Sequence, residues 1–298
     1  MYSILVPVYN QPISPLAQSL LAAAKKLGGP CEIIFAEDGS TQHLEENAAL
    51  AQLPGVAYHV YKQNRGRAAI RNLLGEMSQG DRLIFLDCDI ALPDSRFLQR
   101  YSAHSDMDVL CGGHSYPSRS ALGRRLHHKY GSLRECPAPH LRNQNPYKGF
   151  KTSNFLIKRS LFDRVRFDES LSTYGHEDTL YGHALQEAGA RLLHIDNPVV
   201  HLAMEPTRTF LTKSRGALSN ALMLVQNGKL PVEFVRAVSM YYRLKGSAGG
   251  RALLQWLERS EPLLLRSLHG PNPRLRSFDF LKLVWLYQIE REQKKLRG

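Results

Sequence analysis

Between Met1 and Gly112 short apolar runs of strand length alternate with stretches of helical periodicity, and no other feature of the chain restricts its fold as much. The early runs are nearly continuous in apolar residues, as strands covered on both faces must be, and an intervening helix is the crossover that a parallel sheet requires. Strands are predicted at Ser3–Val8, Cys31–Ala36, Val56–Tyr61, Arg82–Leu86 and Met107–Leu110, and helices at Leu16–Leu27, Thr41–Leu53, Ala68–Met77 and Ser95–Ser102. The first four strands run out at Pro7-Val8-Tyr9-Asn10, Glu37-Asp38-Gly39-Ser40, Asn64-Arg65-Gly66-Arg67 and Asp87-Cys88-Asp89. Ligands of open α/β sheets lie beyond the carboxyl ends of the strands, so these four loops are expected to converge on one site.

Gly112 to Phe150 is rich in Gly, Pro, Ser, Arg and His and reads as a long irregular excursion with one helix over Leu122–Tyr130. Loops of that length are commonly functional. Regular structure returns with a strand at Asn154–Lys158, a helix starting near Glu177, and strands at Arg191–Ile195 and Val199–Leu202. Beyond Pro206 the chain reads as helices at Phe210–Gln226, Val232–Leu244, Arg251–Glu258 and Phe278–Lys295. The expected organisation is an α/β domain over residues 1–205, divided near Gly112, followed by a basic helical region over 206–298.

The 43% apolar composition supplies a real core. Nothing at the N-terminus reads as a secretory signal, and no run is long enough to span a bilayer. Cys31, Cys88, Cys111 and Cys136 lack the spacing of a metal knuckle or a disulfide framework. The expectation is a cytoplasmic protein with reduced thiols, with peripheral attachment to the inner face of the membrane as a further option. A formal charge of +12 calls for an anionic partner, and from Glu205 onward seventeen Lys/Arg stand against seven Asp/Glu.

Four motifs carry chemistry. Asp87-Cys88-Asp89 ends an apolar strand, and past a strand end two carboxylates separated by one residue can turn toward one cation. Hard oxygen ligands suit Mg2+ or Mn2+, which would neutralise a departing diphosphate; an ordinary loop is the plain alternative. In Glu37-Asp38-Gly39-Ser40, Asp38 can accept from a base imide or a ribose hydroxyl, or simply serve the turn. Glu177 and Asp178 open a helix, where unpaired amides keep carboxylates ionised as bases or merely start the helix. His201, on a short strand, could complete a metal sphere with Asp89 or be an ordinary hydrogen-bonded residue.

In that order and with Arg71-Asn72, these motifs resemble the family 2 glycosyltransferases of GT-A fold, over about residues 1–205. Phe167 through Gly189 resembles the segment shared with the β-1,4-galactosyltransferase C-terminal region, although His176 stands where that pattern has glycine. The resemblance implies a GT-A type, Rossmann-like, mostly parallel sheet, with residues 1–112 binding nucleotide and 113–205 serving acceptor and catalysis. It implies an inverting transfer from a UDP-sugar to a glycan or lipid-linked glycan, with Mn2+ or Mg2+, in bacterial surface polysaccharide or lipid-linked glycan assembly. Pro7, Val8 and Tyr9 would line the nucleobase pocket, and Asp38 would hold the uracil edge. Arg65 and Arg71 would lie near the nucleotide or form structural ion pairs. Asp87 would contact ribose or a metal-bound water, and Asp89 and His201 would ligate the metal. Asp178 would be the base, with Glu177 orienting hydroxyls.

Other classes fit less well. A nucleotidyltransferase needs a Gly-rich loop after the first strand, and Val6–Ser14 has no glycine; a nucleic-acid module would show a recognition motif, and none is present. A catalytically inactive nucleotide-sugar binder stays compatible with the same motifs. The basic, aromatic stretch from Phe278 to Arg297 could lie on an anionic bilayer or pack its apolar face on the protein.

Overall fold

The structure, a computed structural model, describes residues 1–121, 123–171 and 175–297. Leu122, of the expected Leu122–Tyr130 helix, and Tyr174, ahead of Gly175-His176, lie outside the described residues. The strands are β1 (Tyr2–Val8), β2 (Cys31–Asp38), β3 (Val56–Tyr61), β4 (Arg82–Leu86), β5 (Ile90–Ala91), β6 (Val109–Cys111), β7 (His114–Ser115), β8 (Asn154–Lys158), β9 (Leu192–His194) and β10 (Val199–His201). The helices are α1 (Ser14–Leu27), α2 (Leu44–Ala48), α3 (Arg67–Met77), α4 (Phe97–Ser102), α5 (Arg125–Tyr130), α6 (Pro139–Arg142), α7 (Arg159–Phe162), α8 (Glu177–Glu187), α9 (Thr207–Gln226), α10 (Arg236–Lys245), α11 (Ala248–Arg259), α12 (Glu261–Leu268) and α13 (Leu275–Arg297). They form two compact units that are not contiguous in sequence. The first comprises Met1–Pro117, Glu135–Ser172 and Tyr181–Ala203; the second comprises Ser118–Arg134, Thr173–Leu180 and Met204–Gly298.

The first unit is built on a seven-stranded sheet of order β3-β2-β1-β4-β8-β6-β9. It is parallel except at β8, which runs antiparallel between β4 and β6. Period-two alternation sorts its side chains onto two cores. Ile4, Val6, Val8, Ile33, Phe35, Ile84 and Leu86 face one core with α1 and α4, whereas Leu5, Ile34, Ala36, Leu83 and Phe85 face the other with α3 and α7. Burial on both faces explains why the middle of each of these strands is continuously apolar. The second core is aromatic: Phe85 stacks on Phe155 at 5.0 Å, and Phe167 on Tyr181 at 3.9 Å between ring centroids. There α3 comes so close to α7 that a Cβ on Gly75 would lie 2.1 Å from the Phe162 ring.

Several boundaries differ from the sequence expectation for local reasons. The helix expected over Thr41–Leu53 is only Leu44–Ala48 with a 3₁₀ turn at Ala49–Gln52, because His43 ahead of it is left-handed (φ 63°). Helix α12 and the short strands β5 and β7 escaped notice, being too short to show periodicity. Those strands flank β10 in a separate sheet of order β5-β10-β7.

The excursion that looked irregular is tied down by one cation. Arg142 donates to the carbonyls of Ile195 (3.1 Å), Gly112 (3.3 Å) and Pro137 (3.1 Å), and through Nη1 to His194 Nδ1 at 2.8 Å. A guanidinium only donates, so Nδ1 accepts and the His194 proton sits on Nε2, which donates to the Pro146 carbonyl at 2.8 Å. Burial, with Arg142 adding to it against the Pro146 bond, lowers the His194 pKa from 6.5 to about 4.

In the second unit, Phe278, Leu281, Val284, Trp285 and Leu286 of α13 are buried. Of the two readings of this aromatic stretch, the structure displays the packed one, with charges in pairs such as Arg291–Glu258 (2.6 Å) and Arg134–Asp279 (3.1 Å). Among the described residues no helix is long and apolar enough to cross a membrane, and all four cysteines are free.

His194 is held neutral, so its contribution to stability is complete above the unfolded value of 6.5 and is lost as pH falls toward about 4. His114, also lowered to about 4 by burial, acts with the same sign. In urea titrations between those limits, His194→Gln should flatten the rise of unfolding free energy with pH. An unchanged slope would contradict the neutral assignment.

Candidate active site

Strands β1 to β4 point the same way, so their carboxyl ends share one edge of the sheet. Two buried carboxylates organise that edge without a cation. Glu37, fully buried, accepts from Asn47 Nδ2 (2.8 Å) and Tyr58 Oη (3.0 Å), and also from the Ser40 hydroxyl. Asn47 passes the constraint on: its Oδ1 accepts from Ile13 N (3.1 Å) and its Nδ2 donates to the Gln11 carbonyl (2.9 Å), fixing the loop after β1. Asn10, at φ 50°, accepts on Oδ1 from the amides of Thr41 (2.7 Å) and Gln42 (3.1 Å). Asparagine tolerates that conformation better than other side chains, and its position after Tyr9 was the one sequence clue to this role.

Asp38 is 5% exposed and both its oxygens are engaged: Oδ1 accepts from Arg65 N (2.7 Å) and Oδ2 from Gly66 N (3.0 Å). Burial raises its pKa, although those two amides and the Arg65 charge oppose the rise. Asn64 Nδ2 donates to the Asp38 carbonyl (2.9 Å), and Gly39 packs so tightly that a Cβ there would lie 2.4 Å from Asn64 N. With φ +75° at Gly39, only glycine fits that crossing of two loops. The Arg65 guanidinium rests 5.1 Å from the Tyr61 ring centroid. Of the three residues expected against a base, Tyr9 is 53% exposed, Pro7 is half-buried, and the Val8 side chain is in the core.

The two acids after β4 have different partners. Asp87 Oδ1 accepts from Arg71 Nη2 at 2.6 Å, and Arg71, nearly inaccessible, also donates to the Arg67 carbonyl (3.0 Å). Of the two roles left open for Arg71, the structure displays the ion pair. Asp89 lies beside β5, whose Ile90 is in register with His201 of β10. The Asp89 amide carbonyl accepts from Leu202 N (2.9 Å), and its Oδ1 lies 3.4 Å from His201 Nδ1. Burial disfavours both charges, but their mutual bond and attraction outweigh it: the Asp89 pKa is lowered, with Arg67 assisting, and the His201 pKa is raised, with Asp87 and Glu135 assisting. Tyr116 and His114, missed in the sequence, stand edge-on to His201 at centroid distances of 5.5 Å and 6.4 Å. Tyr116 Oη donates to Glu135 Oε2 at 2.7 Å.

Among the described residues no third His, Cys, Asp or Glu joins Asp89 and His201 in a metal-holding group. An imidazole beside a carboxylate offers one borderline and one hard donor, a pair whose chemistry would suit an ion such as Mn2+.

Glu177 and Asp178 belong to the second unit, in the first turn of α8. Asp178 Oδ1 accepts from Thr179 N at 2.7 Å and from Thr179 Oγ1 at 3.2 Å. Ahead of them Gly175 (φ 105°) backs onto α9, where a Cβ would lie 2.5 Å from Ala217 Cβ, and His176 is left-handed at φ 69°. The backbone at His176 therefore adopts the conformation that glycine favours, and its Nδ1 lies 3.1 Å from Thr179 Oγ1.

Residues 3–166 match the family described as glycosyl transferase family 2. The match ends before Phe167, so the segment compared with the galactosyltransferases lies beyond it. An uncharacterized glycosyltransferase of Rickettsia bellii is 32% identical over 87 residues, covering 29% of this chain and 12% of that protein. The chondroitin synthase of Pasteurella multocida is 24% identical over 273 residues, covering 77% of this chain and 27% of that protein. The chain thus spans less than a third of the length of either relative. The crystal structure of S. aureus TarS 1-349 matches with a TM-score of 0.55 at 18% identity, covering 96% of this chain and 91% of that one. TarS 1-349 in complex with UDP-GlcNAc gives a TM-score of 0.53 at 18% identity with the same coverage. At such identity the likeness speaks for the fold.

Asparagine at position 38 would set an amide N–H against a backbone N–H. Asp38→Asn should cost about 1–3 kcal/mol in chemical denaturation and speed amide exchange at Arg65 and Gly66. Unaltered exchange at both amides would refute this account of the loop.

Proposed function

The chain belongs to glycosyl transferase family 2, and from that premise we propose that it is an inverting transferase moving a sugar from a UDP-sugar onto a hydroxyl of an acceptor glycan, assisted by Mn2+ or Mg2+. The same reading assigns it to surface polysaccharide or lipid-linked glycan assembly on the cytoplasmic side. The observation that carries it is the meeting of Asp89 and His201, far apart in sequence, beside the edge where the parallel strands end. The donor class draws support from TarS, which has been solved with UDP and with UDP-GlcNAc.

Asp89 and His201 would hold the cation, which when bound supplies charge neutralisation for the departing diphosphate. His201 has to shed its proton to serve as a ligand, so its raised pKa makes metal affinity fall as pH is lowered through it. Asp38, with Arg65 and Gly66 locked to it, would form the wall against the uracil, and Tyr9 supplies an exposed ring beside it. Asp87, held by Arg71, would face the ribose. Asp178 would take the proton of the acceptor hydroxyl as its oxygen bonds to the anomeric carbon. The bond from that carbon to the diphosphate breaks on the opposite face, and UDP leaves with the electron pair; configuration inverts. Glu177 would orient the hydroxyls.

Asp178→Asn should reduce turnover at least about a hundredfold while leaving UDP affinity nearly unchanged. Asp89→Asn should weaken Mn2+ binding, followed by titration calorimetry with and without UDP. Wild-type turnover in the Asp178 variant would dismiss the base assignment, and UDP binding indifferent to both chelator and Asp89 would dismiss the metal.

A further inference from the structure

Helices α11 and α12 carry an apolar face with no covering among the described residues. Ser260 joins them: its N donates to the Trp256 carbonyl (3.2 Å) at the end of α11, and its carbonyl accepts from Leu264 N (3.1 Å) at the start of α12. Pro262 occupies the first turn of α12 and accounts for the interruption. On α11, Gly250, Leu254 and Leu257 are buried, while Trp256 is 62% exposed and Leu253 39%. On α12, Leu263 is 70% exposed. Arg259 follows Trp256 by three residues on α11, and Arg266 follows Leu263 by three on α12, so each helix sets an arginine beside an exposed apolar side chain on one face. Both arginines are exposed. Unlike Arg291, Lys245 and Arg134, which are paired with acids, Arg259, Arg266 and the Trp256 indole have no partner among the described residues.

We propose that this face is a docking surface for an anionic lipid bilayer. Charge complementarity selects that occupant. A tryptophan and leucines beside unpaired arginines match the boundary between acyl chains and anionic headgroups, where an indole sits with its N–H wet and guanidiniums meet phosphates. The proposal is independent of the sugar chemistry, and it assigns to α11 and α12 the contact that the buried aromatics of α13 cannot make.

The chain has two tryptophans, and Trp285 is 4% exposed, so emission reports the surface directly. With vesicles of phosphatidylcholine containing one-third phosphatidylglycerol, Trp256 emission should shift to the blue and the protein should sediment. Phosphatidylcholine alone should do neither, and molar salt should reverse both. Trp256→Phe should remove the blue shift, leaving the constant signal of Trp285. Arg259→Gln with Arg266→Gln should weaken partitioning at least about tenfold, with thermal unfolding unchanged because all three positions are exposed. The proposal is overturned if anionic vesicles leave emission unchanged, if neutral vesicles act equally, or if the arginine variant sediments like the native chain. It is also overturned if Trp256 becomes covered with rising protein concentration in the absence of lipid, which would make the face a contact between copies.

Discussion

Two carboxylates at the end of β2 hold the ligand edge of the sheet together, and neither does so by pairing with a cation. Glu37 collects neutral donors from Ser40, Asn47 and Tyr58, and Asp38 collects the amides of Arg65 and Gly66. A buried carboxylate left unsatisfied is costly, so every loop that supplies a donor is held in place by the penalty of withdrawing it. The loops after β1, β2 and β3 are fixed in this way to one another as well as to their own strands. A site built from several loops needs such cross-bracing, because loops positioned separately do not hold a shared geometry.

The acids after β4 show how environment divides labour between neighbours. Asp87 is spent on a buried arginine, while Asp89 faces an imidazole across a longer gap of 3.4 Å. A guanidinium is a permanent partner, since it does not deprotonate in a protein. An imidazolium is exchangeable: its proton leaves near neutral pH, and a cation can take its place between the same two side chains. That contrast is the physical ground on which the metal role proposed above falls to Asp89 rather than to Asp87.

Much of this architecture was legible in the sequence because strands buried on both faces cannot disguise their composition. The parallel core strands and the loops at their ends follow from apolar runs that stop abruptly at polar residues, whereas the approach of His201 to Asp89 was one of two readings of a lone strand histidine and was implied by the family resemblance. Strands β5 and β7 are two residues each, too short for any periodicity, yet they frame β10 and so set the surroundings of His201. Arg142 was unreadable for a related reason: apart from His194 its partners are carbonyl groups, which carry no side-chain signature. Tyr116 and Glu135 lay inside an excursion without pattern, and only their proximity to His201 marks them. The aromatics of α13 were visible as an amphipathic stripe, but a stripe does not say whether protein or lipid covers it.

The second unit draws Ser118–Arg134 and Thr173–Leu180 to a body of helices that begins only at Met204. On a ribosome, the sheet of the first unit can close as its strands emerge, whereas Gly175 must wait for Ala217 and Asn220 of α9 to be made. The turn bearing Glu177 and Asp178 thus gains its support from α9 only after the chain for the cross-braces of β1 to β3 has been made. Synthesis from one end to the other therefore imposes an order on assembly, in which a nascent chain can brace its sheet edge before the acidic turn reaches the α9 residues that back it.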